Sequence, residues 1–153
     1  PDRFDLKYTN EEGKDVRPVV IHRALLGSLE RFIGVYLEHI AGIFPFWLSP
    51  EQATIVPVST DKHLEFCRNL AKELRDLGFR VKVDERNETM GYKTRQIQQS
   101  KVPFMLVVGD REMENQAASI RAYGEAASKS LTIVELKEYF TKLNLERVPE
   151  KLR

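Results

Sequence analysis

The chain of 153 residues is 42% hydrophobic and 31% charged, which fits one or two small globular domains. No apolar run approaches the about 18 residues of a membrane helix, and the polar start PDRFDLKYTN lacks the apolar core of a signal peptide. Because 24 basic and 23 acidic residues leave a net charge of only +1, any affinity for nucleic acid must come from local patches. A single cysteine, Cys67, excludes a disulfide framework and favours a reducing compartment, so we expect a cytoplasmic protein.

The first 48 residues predict a hairpin and one helix. Apolar residues alternate over residues 4–8, and residues 16–22 are apolar enough to return as a second strand. Ser28 is a suitable N-cap for an amphipathic helix over residues 29–40, and Gly42 is placed to end that helix. Since units this small rarely bury a core alone, the segment is interpreted as the edge of a larger domain.

The segment IFPFWLSP, residues 43–50, predicts a semi-rigid connector that packs down on the protein. It contains two prolines and several large apolar side chains. We therefore place a domain boundary near Ser49, with residues 1–48 in one domain and residues 49–153 in the next.

The second domain predicts an α/β fold. Strand patterns at residues 53–58, 79–84 and 103–108 alternate with helix patterns at residues 61–77 and 90–101. Two successive crossovers make these strands parallel, in the order 2-1-3. A fourth strand at residues 117–122, a loop at 124–129 and a last helix opened by the capping box of Thr132 and Glu135 complete a three-layer α/β/α domain with a mixed, mostly parallel sheet. We expect the chain to fray from Asn144.

Residues 79–101 carry six basic and three acidic side chains, a local excess of three positive charges. The basic residues are Arg80, Lys82, Arg86, Lys93, Arg95 and Lys101. A strand end, a loop and a helix start that face one crevice suit phosphate and base edges. A solvated amphipathic surface is the alternative interpretation of this pattern.

Four stretches of the chain resemble the threonyl-tRNA synthetase family of class II aminoacyl-tRNA synthetases. They occur in the family's order and cover nearly the whole chain: RPVVIHRALLGSLERFIGVYLEHIAGIFPFWLSPEQ, RNETMGYKTR, VPFMLVVGDREME and SIRAYG. The resemblance implies the end of a catalytic domain followed by an anticodon-binding domain. It further implies an enzyme that activates threonine with ATP, transfers it to tRNA and forms a homodimer when complete.

In the first domain the resemblance implies that Gly27, Ser28 and Arg31 belong to the third class II signature. The arginine would contact ATP and the serine would lie by the amino acid, so both count as catalytic. His22 matches the family's zinc-binding histidine, but the other zinc ligands and the first two signatures are missing. We therefore expect neither zinc nor another cofactor to bind this chain alone, and no adenylation by it.

In the second domain the resemblance implies that Asn87, Arg95, Glu112 and Arg121 read the anticodon of threonine tRNA, with Arg95 on a polar helix. The family's threonine anticodons end in G and U. A carboxylate accepts the paired N–H donors of a guanine edge, and amide and guanidinium groups donate to base carbonyls. We expect these groups to converge at one rim of the sheet. Alternatively, Glu112 is a helix-start carboxylate and Arg121 an edge-strand charge that aids solubility.

Two further hypotheses come from other functional classes. One is a flavodoxin-like enzyme or small-ligand protein, against which stand the missing glycine-rich phosphate loop and the missing nucleophile–base pair. The other is a non-catalytic interaction module that retains this domain for RNA or protein binding. Cys67 lies on the apolar stripe of a helix and is predicted to be core, while His39 and His63 are predicted to be solvated or on helix faces.

Overall fold

The computed structural model describes residues 1–147, and its contacts divide the chain into two compact units. These units are Pro1–Tyr36 and Leu37–Arg153. Within the described residues, no helix combines the length and the hydropathy that a membrane span requires. The domain boundary near Ser49 remains a prediction, because division by contacts does not define a homologous domain.

The first unit contains little regular structure. A 3-10 turn at Asp2–Phe4 precedes strand β1, Tyr8–Thr9, which pairs antiparallel with β2, Asp15–Val16. The predicted second strand over residues 16–22 is wrong beyond Val16. A two-stranded hairpin is marginal in water, and residues 1–36 include no third strand and no buried side chain to extend it.

Helix α1, Leu29–His39, begins and ends where its sequence predicts. The Ser28 Oγ accepts a hydrogen bond from the Arg31 backbone N–H at 3.4 Å, which confirms Ser28 as the cap. At the other end the Gly42 N–H donates to the Leu37 carbonyl at 2.9 Å, with Gly42 at φ +72°. This left-handed conformation favours glycine, so Gly42 ends the helix as expected.

The second unit is built on a five-stranded mixed sheet. Its strands are β3 (Ala53–Pro57), β4 (Val81–Val83), β5 (Phe104–Val108), β6 (Ala117–Ala122) and β7 (Lys129–Thr132), in the order β4-β3-β5-β6-β7. The first three are parallel, which confirms the predicted 2-1-3 order, and β6 and β7 run antiparallel to their neighbours. Strand β7 was not predicted, because KSLT carries one large apolar residue and no alternating pattern.

Helices cover both faces of this sheet, which confirms the three-layer architecture. Helices α2 (Thr60–Asp76) and α5 (Ile133–Glu146) pack on one face, and α3 (Met90–Gln99) packs on the other. The short α4 (Asp110–Glu114) follows β5. Helix α5 continues regularly through Asn144, so the expected fraying is wrong up to Glu146, and the tail from residue 148 lies outside the described residues.

Four phenylalanines form the centre of the larger core. Phe46 of the connector, Phe104 of β5 and Phe140 of α5 are each at most 1% exposed, and Phe79 precedes β4 at 5%. The ring centroids of Phe46 and Phe140 lie 4.7 Å apart, and Phe104 lies 5.5 Å from both. The connector therefore packs down on the sheet, as its composition predicts. Cys67 of α2 is also fully buried, and burial raises the pKa of its thiol to about 12.

We expect Phe140→Ala to lower the free energy of unfolding by about 3 to 5 kcal/mol, because it opens a cavity among three other aromatic rings. Val134→Ala on the same helix is the control, since Val134 is 65% exposed. Urea denaturation of both variants measures the difference. An equal decrease in the free energy of unfolding in both variants would show that the aromatic cluster does not stabilise the core.

Candidate nucleic-acid interface

The loop between β4 and α3 is held by the carboxylate of Asp84. The Asp84 side chain is 5% exposed and accepts hydrogen bonds from the Arg86 guanidinium at 2.6 and 2.9 Å. Hydrogen bonding from Arg86, aided by the charge of Lys93, holds the pKa of Asp84 below its ordinary value despite burial. Arg86 also lies 5.7 Å from the centre of the Tyr92 ring. The loop is therefore tied to the first turn of α3.

Lys93, which the sequence counts toward the local positive excess of residues 79–101, is the second member of this network. It is 2% exposed, and its Nζ donates to the Asp84 carbonyl at 3.3 Å. Met90, Lys93 and Ile97 share one helix face, and Ile97 is buried against the sheet. That spacing is the signal by which the buried lysine could have been found.

Asn87 stands at the tip of this braced loop. It follows Asp84 by three residues and precedes Thr89, whose Oγ1 caps α3 by accepting from the Tyr92 N–H at 3.4 Å. The Asn87 side chain is exposed and has no polar partner within residues 1–147. Its amide is therefore available to an external ligand, on a backbone fixed at both ends.

Glu112 has one oxygen engaged and one available. Its Oε2 accepts from the Gly109 N–H at 3.0 Å at the start of α4, as the helix-start alternative expected. A Cβ at Gly109 would lie 3.1 Å from this oxygen and 3.4 Å from Val58, so the position suits glycine. The side chain is half-buried, and no hydrogen bond occupies Oε1 among the described residues.

The loops after β3 and β5 are joined by His63, which the sequence predicts to be solvated or on a helix face. His63 is 2% exposed, and its Nδ1 accepts from the Ser59 N–H at 3.0 Å. Since Nδ1 is an acceptor, Nε2 carries the hydrogen that is donated to Asp110 at 3.1 Å. This bond is the main reason that the pKa of Asp110 is lowered. His63 therefore fixes the carboxyl ends of two strands relative to each other.

Arg121 lies on β6 and not at the carboxyl rim of the parallel strands. It pairs with Met105, three residues before β5 ends at Val108, which is about 10 Å along the strand. Asn87 and Glu112 do follow strand ends, so the prediction of a single rim is wrong for Arg121. Because Met105 packs with α3, Arg121 projects from the same face of the sheet as α3.

Arg95 connects these positions along the side of α3. It shares a helix face with Gln98, three residues on, and Gln98 lines a surface cavity together with Arg121. Since α3 runs from the carboxyl end of β4 to the amino end of β5, the predicted residues are spread along its length. Asn87 lies just before its start, Glu112 lies at the carboxyl rim beyond the end of β5, and Arg121 lies beside the end of α3. We call the surface that carries Asn87, Arg95, Glu112 and Arg121 the α3 strip.

The local positive excess predicted for residues 79–101 is mostly engaged inside the protein. Five of its six basic groups have internal partners: Arg80 (carbonyls of Trp47 and Ser49), Lys82 (Glu51), Arg86 (Asp84), Lys93 (Asp84 carbonyl) and Lys101 (Ala41 carbonyl). Within the described part of the chain, Arg95 alone of the six has no such partner. The interface therefore offers a ligand a few separate polar groups, and the excess of three positive charges overstates its basic character.

The residues predicted for ATP and zinc all lie in the first unit. Gly27 has φ +64°, and the Ser28 hydroxyl donates to Glu30 at 2.6 Å, which lowers the pKa of that carboxyl. Arg31 is exposed and has no polar side-chain partner in the described chain. His22 is exposed, and residues 1–147 contain no group of three His, Cys, Asp or Glu side chains that could hold a metal. The residues present therefore do not make a zinc site.

Comparison with known proteins identifies the second unit. The family model described as anticodon binding domain matches residues 52–143. A threonine–tRNA ligase of Streptococcus pneumoniae strain D39 is 47% identical over 133 residues, which are 87% of this chain and 21% of the relative. The chain thus spans about a fifth of the length of that curated relative.

Solved structures agree with this match. The RNA binding domain of threonyl-tRNA synthetase from Cryptosporidium parvum has a TM-score of 0.80 and 37% identity, over 93% of this chain and 36% of that one. Prolyl-tRNA synthetase from the same organism has a TM-score of 0.67 at 22% identity, over 95% of this chain and 31% of that one, and shows the fold alone.

Asp84→Asn tests the brace beneath Asn87. We expect it to lower the free energy of unfolding near pH 7 by about 1 to 3 kcal/mol, because Lys93 and Arg86 lose their anionic partner. Since the folded pKa of Asp84 is depressed, its stabilisation is present above the ordinary carboxyl pKa of about 3.9 and is lost as the pH falls through the lower folded value.

The variant should therefore show a flatter loss of stability below about pH 4 than the parent chain. Asp76→Asn is the control, since Asp76 is exposed and has no hydrogen bond or ion pair in the described part of the chain. Chemical denaturation at a series of pH values measures both. An unchanged slope in Asp84→Asn would contradict the assignment of this carboxylate.

Proposed function

This chain belongs to the anticodon binding domain family, and we propose that it is the part of a threonine–tRNA ligase that recognises the anticodon of threonine tRNA. The observation that carries the proposal is the α3 strip, where Asn87, Arg95 and Arg121 present polar groups that have no partner among residues 1–147. Most other charged groups nearby are paired within the protein. The family match also favours this function over a flavodoxin-like ligand protein.

The chemistry of the strip suits unpaired bases. Guanine and uracil present carbonyl acceptors together with N–H donors, and RNA sequence is read on such edges when bases are splayed out of a helix. The amide of Asn87 both donates and accepts, the guanidinium groups of Arg95 and Arg121 donate, and the Oε1 of Glu112 accepts. These four groups together provide donors for the carbonyls and acceptors for the N–H groups of guanine and uracil.

For the complete protein we propose the activity of its curated relatives, in which threonine is activated with ATP and transferred to tRNA. Gly27, Ser28 and Arg31 would then form one wall of the ATP site, where the planar charge of Arg31 suits phosphate or a base. His22 would be one zinc ligand among others from outside this chain. A cytoplasmic location and a homodimer, assembled mainly through the catalytic domain, complete this proposal.

Arg121→Ala and Asn87→Ala should each weaken binding of a threonine anticodon stem-loop by about 1 to 3 kcal/mol, because each removes a base contact. Lys72→Ala is the control, since Lys72 is exposed on α2, which packs on the opposite face of the sheet. Fluorescence anisotropy at one fixed salt concentration measures the dissociation constants. Equal affinity of the parent chain for a stem-loop with a changed second anticodon base would refute anticodon recognition.

Glu112→Gln separates RNA binding from the cap of α4. The amide oxygen still accepts from the Gly109 N–H, so the melting temperature should stay close to that of the parent chain. The outward group becomes a donor and opposes the N–H donors of guanine, so binding should weaken by about 1 to 3 kcal/mol. Glu112→Ala should lose both the cap and the binding. Full RNA affinity in Glu112→Gln would restrict Glu112 to its structural role.

A further inference from the structure

A shallow cavity of about 390 Å³ opens beside Arg121, at the end of the α3 strip. It is lined by Gln98, Arg121, Tyr123, Gly124, Glu125 and Ala126, and we call it the Tyr123 pocket. A narrow crevice with Ile97, Val102 and Met105 in its wall adjoins the pocket. The volume of the Tyr123 pocket lies in the range of about 300 to 1,000 Å³ that is usual for small-molecule sites.

The backbone holds this pocket open. Arg121 lies near the end of β6, which ends at Ala122, and Tyr123 is the first residue of the turn that follows; both side chains line the pocket. The Tyr123 N–H donates to the Pro103 carbonyl at 2.8 Å, which continues the pairing beyond the end of β6. Gly124, at φ +78°, then turns the chain away. The last turn of α3 supplies Gln98 at the side.

The polar side chains of the pocket are unpaired in the part of the chain that the structure describes. Among residues 1–147, neither the Gln98 amide, the Arg121 guanidinium, the Tyr123 hydroxyl nor the Glu125 carboxylate makes a side-chain hydrogen bond or ion pair. The larger cavity of about 580 Å³ between β4 and α3 differs in this respect. There Glu51 pairs with Lys82, and Asp84 with Arg86, so few groups are left to recognise a ligand.

We propose that the Tyr123 pocket binds a second unpaired nucleobase of the RNA loop that Arg121 contacts. Tyr123 provides an aromatic face for stacking, and Gln98 provides one donor and one acceptor for the base edge. The proposal rests on the proposed function, and it adds Tyr123 and Gln98 as specificity-determining residues. Tyr123 lies within the stretch SIRAYG, but neither residue is among the site residues that the resemblance implies.

The charges of the pocket favour a base over a phosphate or another anion. Arg121 contributes one positive and Glu125 one negative charge, so the net charge is zero. A carboxylate would repel a phosphate, whereas it accepts hydrogen bonds from the amino group of a base. Continuity with Arg121 favours a neighbouring nucleotide of the same loop over a free nucleotide.

Tyr123→Leu tests the stacking face, with Tyr123→Phe and Tyr8→Ala as controls. Loss of the aromatic ring should weaken binding of a threonine anticodon stem-loop about fivefold or more, because stacking of one base contributes at least this much. Tyr123→Phe keeps the ring and should stay within about twofold of the parent chain. Tyr8→Ala removes a tyrosine that is 53% exposed in the first unit and should have no effect.

A set of stem-loops with one abasic nucleotide at each loop position then locates the partner of Tyr123. At one position the abasic change should weaken the parent chain but leave Tyr123→Leu unaffected, as a double-mutant cycle requires of a direct contact. Gln98→Ala should couple to the same position and Gln99→Ala to none. The exposed glutamines keep this comparison usable if Tyr123→Leu does not fold.

Independent effects at every loop position would overturn the inference. So would unchanged affinity in both Tyr123→Leu and Gln98→Ala. These outcomes differ from failure of the proposed function, in which the parent chain itself does not distinguish the threonine anticodon from one with a changed second base. If the parent chain bound a free nucleotide more tightly than the stem-loop that carries the same nucleotide, the pocket would be assigned to a small ligand instead.

Discussion

The aromatic cluster on one side of the sheet is the constraint on which the rest of the second unit depends. Phe46, Phe104 and Phe140 bring the connector, β5 and α5 into one core. With α2 and α5 both on this face, α3 is the one long helix of residues 37–147 that packs on the other. Beside α3, part of the surface of β5 and β6 stays accessible. The open strip is therefore a consequence of where the aromatic residues pack.

The polar groups of the second unit fall into two sets: some pair with one another and fix the loops, and others face outward. Asp84, Arg86 and Lys93 satisfy one another and fix the loop that ends at α3, and His63 joins the loops after β3 and β5. Buried polar groups of this kind cost stability unless they are paired, so their geometry is narrowly defined. Asn87 and Glu112 stand on these braced segments. The backbone that carries their side chains is therefore already ordered before an RNA loop binds.

Hydrophobic periodicity was sufficient to predict most of the second unit. It placed β3, β5 and α2 within one or two residues, because their apolar patterns are long and regular. It missed β7 and the burial of Lys93 and His63, since these depend on partners that are distant in sequence. The residues of the candidate site came from resemblance to a family, and their spread along α3 required the pairing of β6 with β5.

The spread of the site also limits what can bind there. Arg121 lies about 10 Å of strand away from the rim that Glu112 follows, so no single base spans both. Bases in a duplex hide their pairing edges in the helix, whereas bases in a loop turn outward and contact separate groups. A strip of isolated donors and acceptors, each on a fixed element, therefore selects an unpaired segment of several nucleotides. Selection begins with the shape of the loop and is completed by the edges of its bases.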